Sequence, residues 1–154
     1  MAEESALQRL ADAGSDELGR LLLRAVRAVN EQIIGRLAAL GHPDVRGPHT
    51  AVFTNLDADG TRAVTLAQRA GMTRQAMSNL VRELETAGYL QVSPDPADGR
   101  AALVRLTALG EKFCNDAATV ISQLGAEWAG HLGDPELEHL RRSLHALIAY
   151  PTVA

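Results

Sequence analysis

The feature that most narrows what this chain can fold into is the punctuation between Thr65 and Leu106. Thr65 and Gln68 form a Thr-x-x-Gln capping box, which satisfies backbone N–H groups left over in a first helical turn. It predicts a short helix over 66–70, after an extended piece at 61–64. Gly71 and Met72 predict a tight break. Thr73 predicts the N-cap of a second helix that runs to Ala87 and is closed by Gly88. Residues 90–93 and 101–106 read as two short strands. Pro94, Asp95, Pro96, Ala97, Asp98 and Gly99 form a turn-rich tip between them. Two short helices joined through a glycine turn and followed by a hairpin are the layout of a winged helix-turn-helix.

The second helix carries the chemistry. Met77, Leu80, Val81 and Leu84 share one stripe and predict its buried side. Arg74, Gln75, Ser78, Asn79 and Arg82 make the opposite stripe, with Thr73 at the cap. Every member of that stripe forms hydrogen bonds. Asn and Gln pair with adenine edges, Arg with guanine, and Ser with phosphate or base. The bland reading is the polar outer face of an ordinary helix, which would more often carry Glu and Lys. The capped helix before it and the hairpin after it favour DNA recognition. At the hairpin tip Arg100 follows Asp98 and Gly99. An arginine there reaches a narrow minor groove, where the potential is most negative. Asp98 is close enough in sequence to orient it. The bland alternative is a turn aspartate beside a solvated arginine.

The flanks are helical. Aromatic residues are only 3% of the chain, and its 46% hydrophobic content is mostly Leu, Ala and Val, which favours helices over a sandwich of strands. The first dozen residues read equally as a frayed helix or a disordered arm. Ser15 predicts an N-cap, with Asp16 and Glu17 in the first turn. Leu18, Leu22, Ala25, Val29, Ile33, Leu37 and Leu40 recur at helical spacing up to Gly41. A loop over 42–47 follows, then Pro48 in the first turn of a helix bearing Val52, Phe53 and Leu56, then a turn at 57–60. Thr107 predicts the cap of a long helix with Phe113, Ala117, Val120, Ile121, Leu124 and Trp128 along it. Asp134, Pro135 and Glu136 read as N-cap, N1 and N2 of a last helix carrying Leu137, Leu140, Leu144 and Leu147. The expected fold is mainly α with a small β wing, in one domain over 1–154. A winged lobe occupies 48–106, and dimerisation helices occupy 15–41 and 107–150. These helices carry more apolar residues than so small a lobe can cover, which predicts a homodimer.

Charge and composition exclude several classes. The net charge is −4, yet residues 62–105 hold six arginines against four acids, so that segment carries +2 and the rest −6. No apolar run approaches the ~20 residues of a membrane span. The opening MAEESALQRL lacks the layout of a signal peptide, so the expected place is the cytoplasm. The single cysteine, Cys114, excludes an internal disulfide and fits a reducing compartment. The five histidines (42, 49, 131, 139 and 145) show no His-x-x-x-His spacing, and no metal is expected. No Ser/His/Asp set, phosphate loop or acidic pair indicates an enzyme, so neither catalytic residues nor a cofactor are expected. The competing class is a winged helix used only for protein docking, which would not need Arg74, Gln75, Asn79 and Arg100 on one surface.

The segments LAQRAGMTRQAMSNLVRELETAGYLQ and DGRAALVRLTALG resemble the MarR (multiple antibiotic resistance regulator) family of transcription factors. The second matches the family's wing pattern at Asp98, Arg100, Val104, Leu106 and Thr107, and the resemblance covers 66–110. It implies a homodimer with interlocked N- and C-terminal helices, whose two winged lobes contact a pseudo-palindromic operator in double-stranded DNA. It also implies a repressor released by a small aromatic or phenolic effector bound between lobe and dimer helices. On the family's map of that crevice, Arg46, His49 and Phe53 are the effector-binding candidates. Hydrophobic packing and a helix N-terminus explain the same residues equally well. Some members sense oxidants through cysteine, but usually from other positions. Cys114 therefore reads as a small hydrophobe.

Overall fold

The computed structural model describes residues 5–7, 17–96 and 98–150, with the backbone alone at 99 and 100. Helix α1 spans Leu18–Ala39. Its N-cap is Glu17, whose side chain accepts from the Gly19 N–H at 2.9 Å. Glu17 was expected inside the first turn, and the Ser15 cap lies outside the described residues. The helix closes at Gly41, where the His42 N–H reaches back to the Leu37 carbonyl at 3.0 Å. A 3-10 turn, Gly47–His49, leads into the short helix α2, Thr50–Phe53.

Strand β1, Thr61–Arg62, runs directly into helix α3, Ala63–Arg69. This corrects the capping box expected at Thr65, which instead lies within the first turn of α3. The cause is tertiary: β1 pairs with a distant strand, Asp98–Leu106, only at Thr61↔Val104 and Arg62↔Leu103. Arg62 is the last extended residue, and helix begins immediately after it. Gly71 then takes φ +62°, and the Met72 N–H bonds the Ala67 carbonyl at 2.9 Å. That left-handed residue supplies the break between the two helices.

Helix α4 spans Arg74–Thr86, with the Thr73 hydroxyl accepting from the Ala76 N–H at 3.2 Å. Its buried residues are Met77, Leu80, Val81 and Leu84, the stripe predicted for it. Strands β2, Leu90–Asp95, and β3, Asp98–Leu106, follow. They form a three-stranded antiparallel sheet in the order β1-β3-β2. Both strands run further into the tip than expected, with Pro94 opposite Ala102 and Asp95 opposite Asp98. Proline is tolerated there because β2 is an edge strand and the register is irregular at Pro94 and Asp95.

Helix α5, Ala108–Leu132, is capped by Thr107, whose hydroxyl accepts from the Gly110 N–H at 3.1 Å and donates to the Gly88 carbonyl at 2.6 Å. Gly110 lies so close to the α4–β2 junction that a Cβ there would fall 2.2 Å from the Tyr89 carbonyl oxygen. Helix α6 spans Asp134–Ile148, and its N-cap is Gly133. Asp134 is therefore the first helical residue and not the cap. The chain reverses in one step at Gly133, at φ +88°, which leaves no room for a separate capping residue.

The core runs from the lobe into the base of the long helices, through Leu66, Met77, Leu84, Val104, Phe113, Val120 and Leu124. Three of the five aromatic residues, Phe53, Tyr89 and Phe113, gather at that junction. Phe53 and Phe113 lie 4.4 Å apart, and Tyr89 meets Phe113 edge-on at 5.7 Å. Further out the helices are different: Leu18, Leu23 and Val26 on α1, Ile121 on α5 and Ile148 on α6 are exposed. Among the described residues, no helix is long and apolar enough to cross a membrane.

Candidate nucleic-acid interface

The apolar stripe of α4 anchors the helix, which leaves its polar stripe outward. Thr73, Arg74, Gln75, Asn79 and Arg82 are exposed, and Ser78 is half-buried. Three of these side chains form a chain of bonds. The Asn79 carbonyl oxygen accepts from the Gln75 amide at 3.1 Å and from the Arg82 guanidinium at 3.3 Å. The spacing i, i+4 and then i+3 makes them neighbours along one flank. Asn79 therefore turns its amide NH₂ away from both partners, as a donor for an incoming acceptor.

The wing is fixed to the lobe at several points along the hairpin. Arg62 Nε and Nη2 both lie 2.7 Å from Asp95 Oδ2, which ties the start of α3 to the hairpin near its tip. Glu85 of α4 accepts from the Val92 N–H of β2 at 3.2 Å, joining helix and wing directly. Arg105 donates to the Asp59 carbonyl at 3.1 Å and to the Ser93 hydroxyl at 3.2 Å. Arg69 meets Asp57 at 2.9 Å, and that carboxyl is held below its ordinary range by Arg69 and then by the Thr61 hydroxyl. Arg62, Arg69 and Arg105 thus hold the lobe together. The positive segment counted in the sequence is reduced to Arg74, Arg82 and Arg100 as candidates for phosphate and base. Asp98 is exposed beside the tip, and the side chain of Arg100 lies outside the described residues.

The three effector candidates are not brought together. Arg46 and His49 line a cleft of about 680 Å³ with Asp44, Arg82, Glu83 and Thr86. Phe53 instead packs against Phe113 in the aromatic cluster. The Glu83 carboxylate on α4 is bonded by the Arg46 guanidinium and by His49 Nε2 at 2.9 Å. His49 first and Arg46 next hold that carboxyl below its ordinary range.

Nothing in the sequence signals that His42 and His49 are both buried. His42 is fully buried. Its Nδ1 lies 3.2 Å from the Tyr89 hydroxyl and its Nε2 lies 2.9 Å from Asp116 Oδ2. Lys112, and after it His42, lowers the Asp116 carboxyl. Partners 47 and 74 residues away leave no local signal. Cys114 is half-buried, and burial, followed by Glu111, pushes its thiol up, away from the reactive thiolate. Among the described residues, no group of three His, Cys, Asp or Glu side chains could hold a metal ion.

A short helix, a glycine break, a second helix capped by Thr73 with a polar outer face, and a hairpin tied to it define a winged helix-turn-helix protein. The sequence profile of the MarR family matches residues 44–101. The transcriptional regulator HosA of Escherichia coli O111:H- is 32% identical over 97 residues, covering 62% of this chain and 72% of that protein. An HTH-type transcriptional repressor of Mycobacterium tuberculosis (strain H37Rv) is 28% identical over 131 residues, covering 84% of this chain and 92% of that one. Among solved structures, CouR from Rhodococcus jostii RHA1 bound to p-coumaroyl-CoA superposes with a TM-score of 0.66 at 26% identity, covering 91% of this chain and 96% of that one. The chain belongs to the MarR family and is a transcriptional regulator.

Proposed function

We propose that the chain is a homodimeric repressor that reads a pseudo-palindromic operator and is released by a small molecule. The observation that carries the reading is the α4 surface: the polar stripe of Arg74, Gln75, Ser78, Asn79 and Arg82, capped by Thr73 and tied to a wing. Arg74, Gln75, Ser78 and Asn79 read base edges, with Thr73 at the helix N-terminus against the backbone. Arg82 and Arg100 hold phosphate or minor groove, and Asp98 orients Arg100. The functional unit is the whole of 1–154, with its lobe at 48–106 and its pairing helices at 15–41 and 107–150. The exposed leucines and isoleucines of α1, α5 and α6 support pairing with a second copy through both chain ends. A cavity of about 590 Å³ on α1, lined in part by exposed Leu23 and Val26, opens on that same face.

Repression has the mycobacterial relative for support, and release by a ligand has the acyl-CoA bound to CouR. Arg46 and His49 are the effector contacts in the polar cleft, with Phe53 behind them only as packing. The chain acts by binding, without catalysis, in the cytoplasm where its DNA lies. The test is operator selection from random DNA, followed by sedimentation of the protein alone. A pseudo-palindrome with half-sites about one turn, ~34 Å, apart is expected, from a protein of twice 16.4 kDa. Failure to select any sequence, at low or high salt, would assign the lobe to protein docking.

A further inference from the structure

Reading base edges requires α4 to be held at one rotation about its own axis, and the apolar stripe beneath it supplies contact without direction. Hydrogen bonds supply direction. Three of them close a ring at the cleft beside α4. The Arg46 backbone N–H donates to His49 Nδ1 at 3.1 Å. His49 therefore carries its proton on Nε2, which faces Glu83 Oε2 at 2.9 Å. The Arg46 guanidinium donates to that same Glu83 oxygen. His49 is 2% exposed, so its ring has no freedom to point elsewhere. Glu83 lies one helical turn beyond Asn79 and next to Arg82, on the flank that carries the bonded series Gln75, Asn79 and Arg82. Glu85, two residues on and so toward the other side of the helix, holds the wing through the Val92 N–H.

We propose that Glu83 is a positioning residue for DNA reading: gripped by Arg46 and His49, it fixes the angle at which Gln75, Asn79 and Arg82 are presented to the bases. The proposal rests on the DNA-binding reading given above. Glu83 itself touches no base. With the Glu83 carboxylate taken by Arg46 and His49, Arg82 stays with Asn79, so the clamp also preserves the bonded series. The Arg46–Glu83 pair is half exposed, and exposed pairs contribute little to stability. Its loss should therefore register in discrimination before it registers in folding.

The experiment compares wild type, Glu83→Ala and Glu83→Gln on the selected operator, on the operator with one base changed per half-site, and on random DNA. Melting temperature and sedimentation are recorded for each. Glu83→Ala should lose about tenfold in the operator-to-mismatch ratio, the scale of one well-placed base contact. Its salt slope on random DNA should be unchanged. Glu83→Gln keeps an acceptor for His49 and should lose less. A Glu83→Ala protein that melts lower yet keeps the wild-type ratio within about twofold overturns the proposal and leaves Glu83 a stabilising residue. If Glu83→Ala does not fold, an unchanged ratio in Glu83→Gln, together with an unchanged spacing preference between half-sites, overturns it equally. Wild type that selects no operator overturns the DNA reading itself, and the proposal with it.

Discussion

The winged lobe and the long helices solve the burial problem in opposite ways. In the lobe, Leu66, Met77, Leu84 and Val104 are sealed, and the polar side chains of α4 point outward. On α1, Leu23 and Val26 are 70% and 58% exposed, and Ile148 on α6 is 80% exposed. Fully burying one such side chain stabilises by roughly 1.5–3 kcal/mol, so these helices are incomplete alone. The lobe is finished within one copy of the chain, whereas the helices keep large apolar side chains open to solvent. The aromatic cluster of His42, Phe53, Tyr89 and Phe113 is where the two regimes meet.

The comparison breaks most severely at that junction. Phe113→Ala removes the ring that touches His42, Phe53 and Tyr89 together. Truncating a buried Phe costs about 3–5 kcal/mol. Chemical denaturation should show that loss in lobe and helices alike, because both rest on Phe113. A transition in which only the helical signal moved would mean that the two regions fold separately.

Charges placed on the open helices should act differently. Val26→Asp and Ile148→Asp each put a carboxylate on an apolar face that the proposed pairing would cover. Each should weaken pairing by roughly 10- to 100-fold, about 1.4–3 kcal/mol, by desolvating an unpaired charge. The lobe's own circular dichroism and core packing should survive. Concentration-dependent sedimentation separates the cases, and variants that stay paired at sub-micromolar protein would place the interface elsewhere.

On the lobe, Asn79→Ala tests reading against folding. It should relax base preference at one position per half-site, at about 1–3 kcal/mol, and it should barely change stability. Competition between operator and random DNA measures this. An unchanged ratio would remove Asn79 from base contact, and with it the significance of its bonds to Gln75 and Arg82.

What was legible in the sequence follows the range of each interaction. The Thr73 cap, the inward stripe of α4, the Thr107 cap and the glycine breaks depend on neighbours within about a turn, and the structure keeps them. The apolar excess of the long helices was equally legible, since periodicity alone reveals it. Thr65 misled because a strand pairing with Val104 and Leu103, far along the chain, decides where α3 begins. The burial of His42 and His49 rests on Asp116 and on Glu83, and neither has a sequence signal. The same reason hides which arginines are spent on the fold: Arg62 on Asp95, Arg69 on Asp57 and Arg105 on Ser93 are all non-local pairings.

The wing gives the smallest energetic effect and the cleanest separation of roles. Position 100 lies on β3, two residues past Asp98, which pairs across the hairpin with Asp95. A substitution at such a tip usually changes folding by no more than about 0.5 kcal/mol. Any contribution of Arg100 to binding is then a matter of charge near backbone and minor groove. Arg100→Ala should weaken binding to many sequences in similar proportion. It should also flatten the plot of log affinity against log salt by about one unit per wing. Asp98→Ala sharpens the test. If Asp98 orients Arg100, its removal gives a weaker form of the same loss. If Asp98 merely repels phosphate, its removal tightens binding. A salt titration of wild type, Arg100→Ala and Asp98→Ala on one operator distinguishes these outcomes. A slope left unchanged by Arg100→Ala, in a folded dimer, would assign the phosphate contacts to Arg74 and Arg82 on α4 and leave the wing as a brace that Asp95 and Arg62 hold in place.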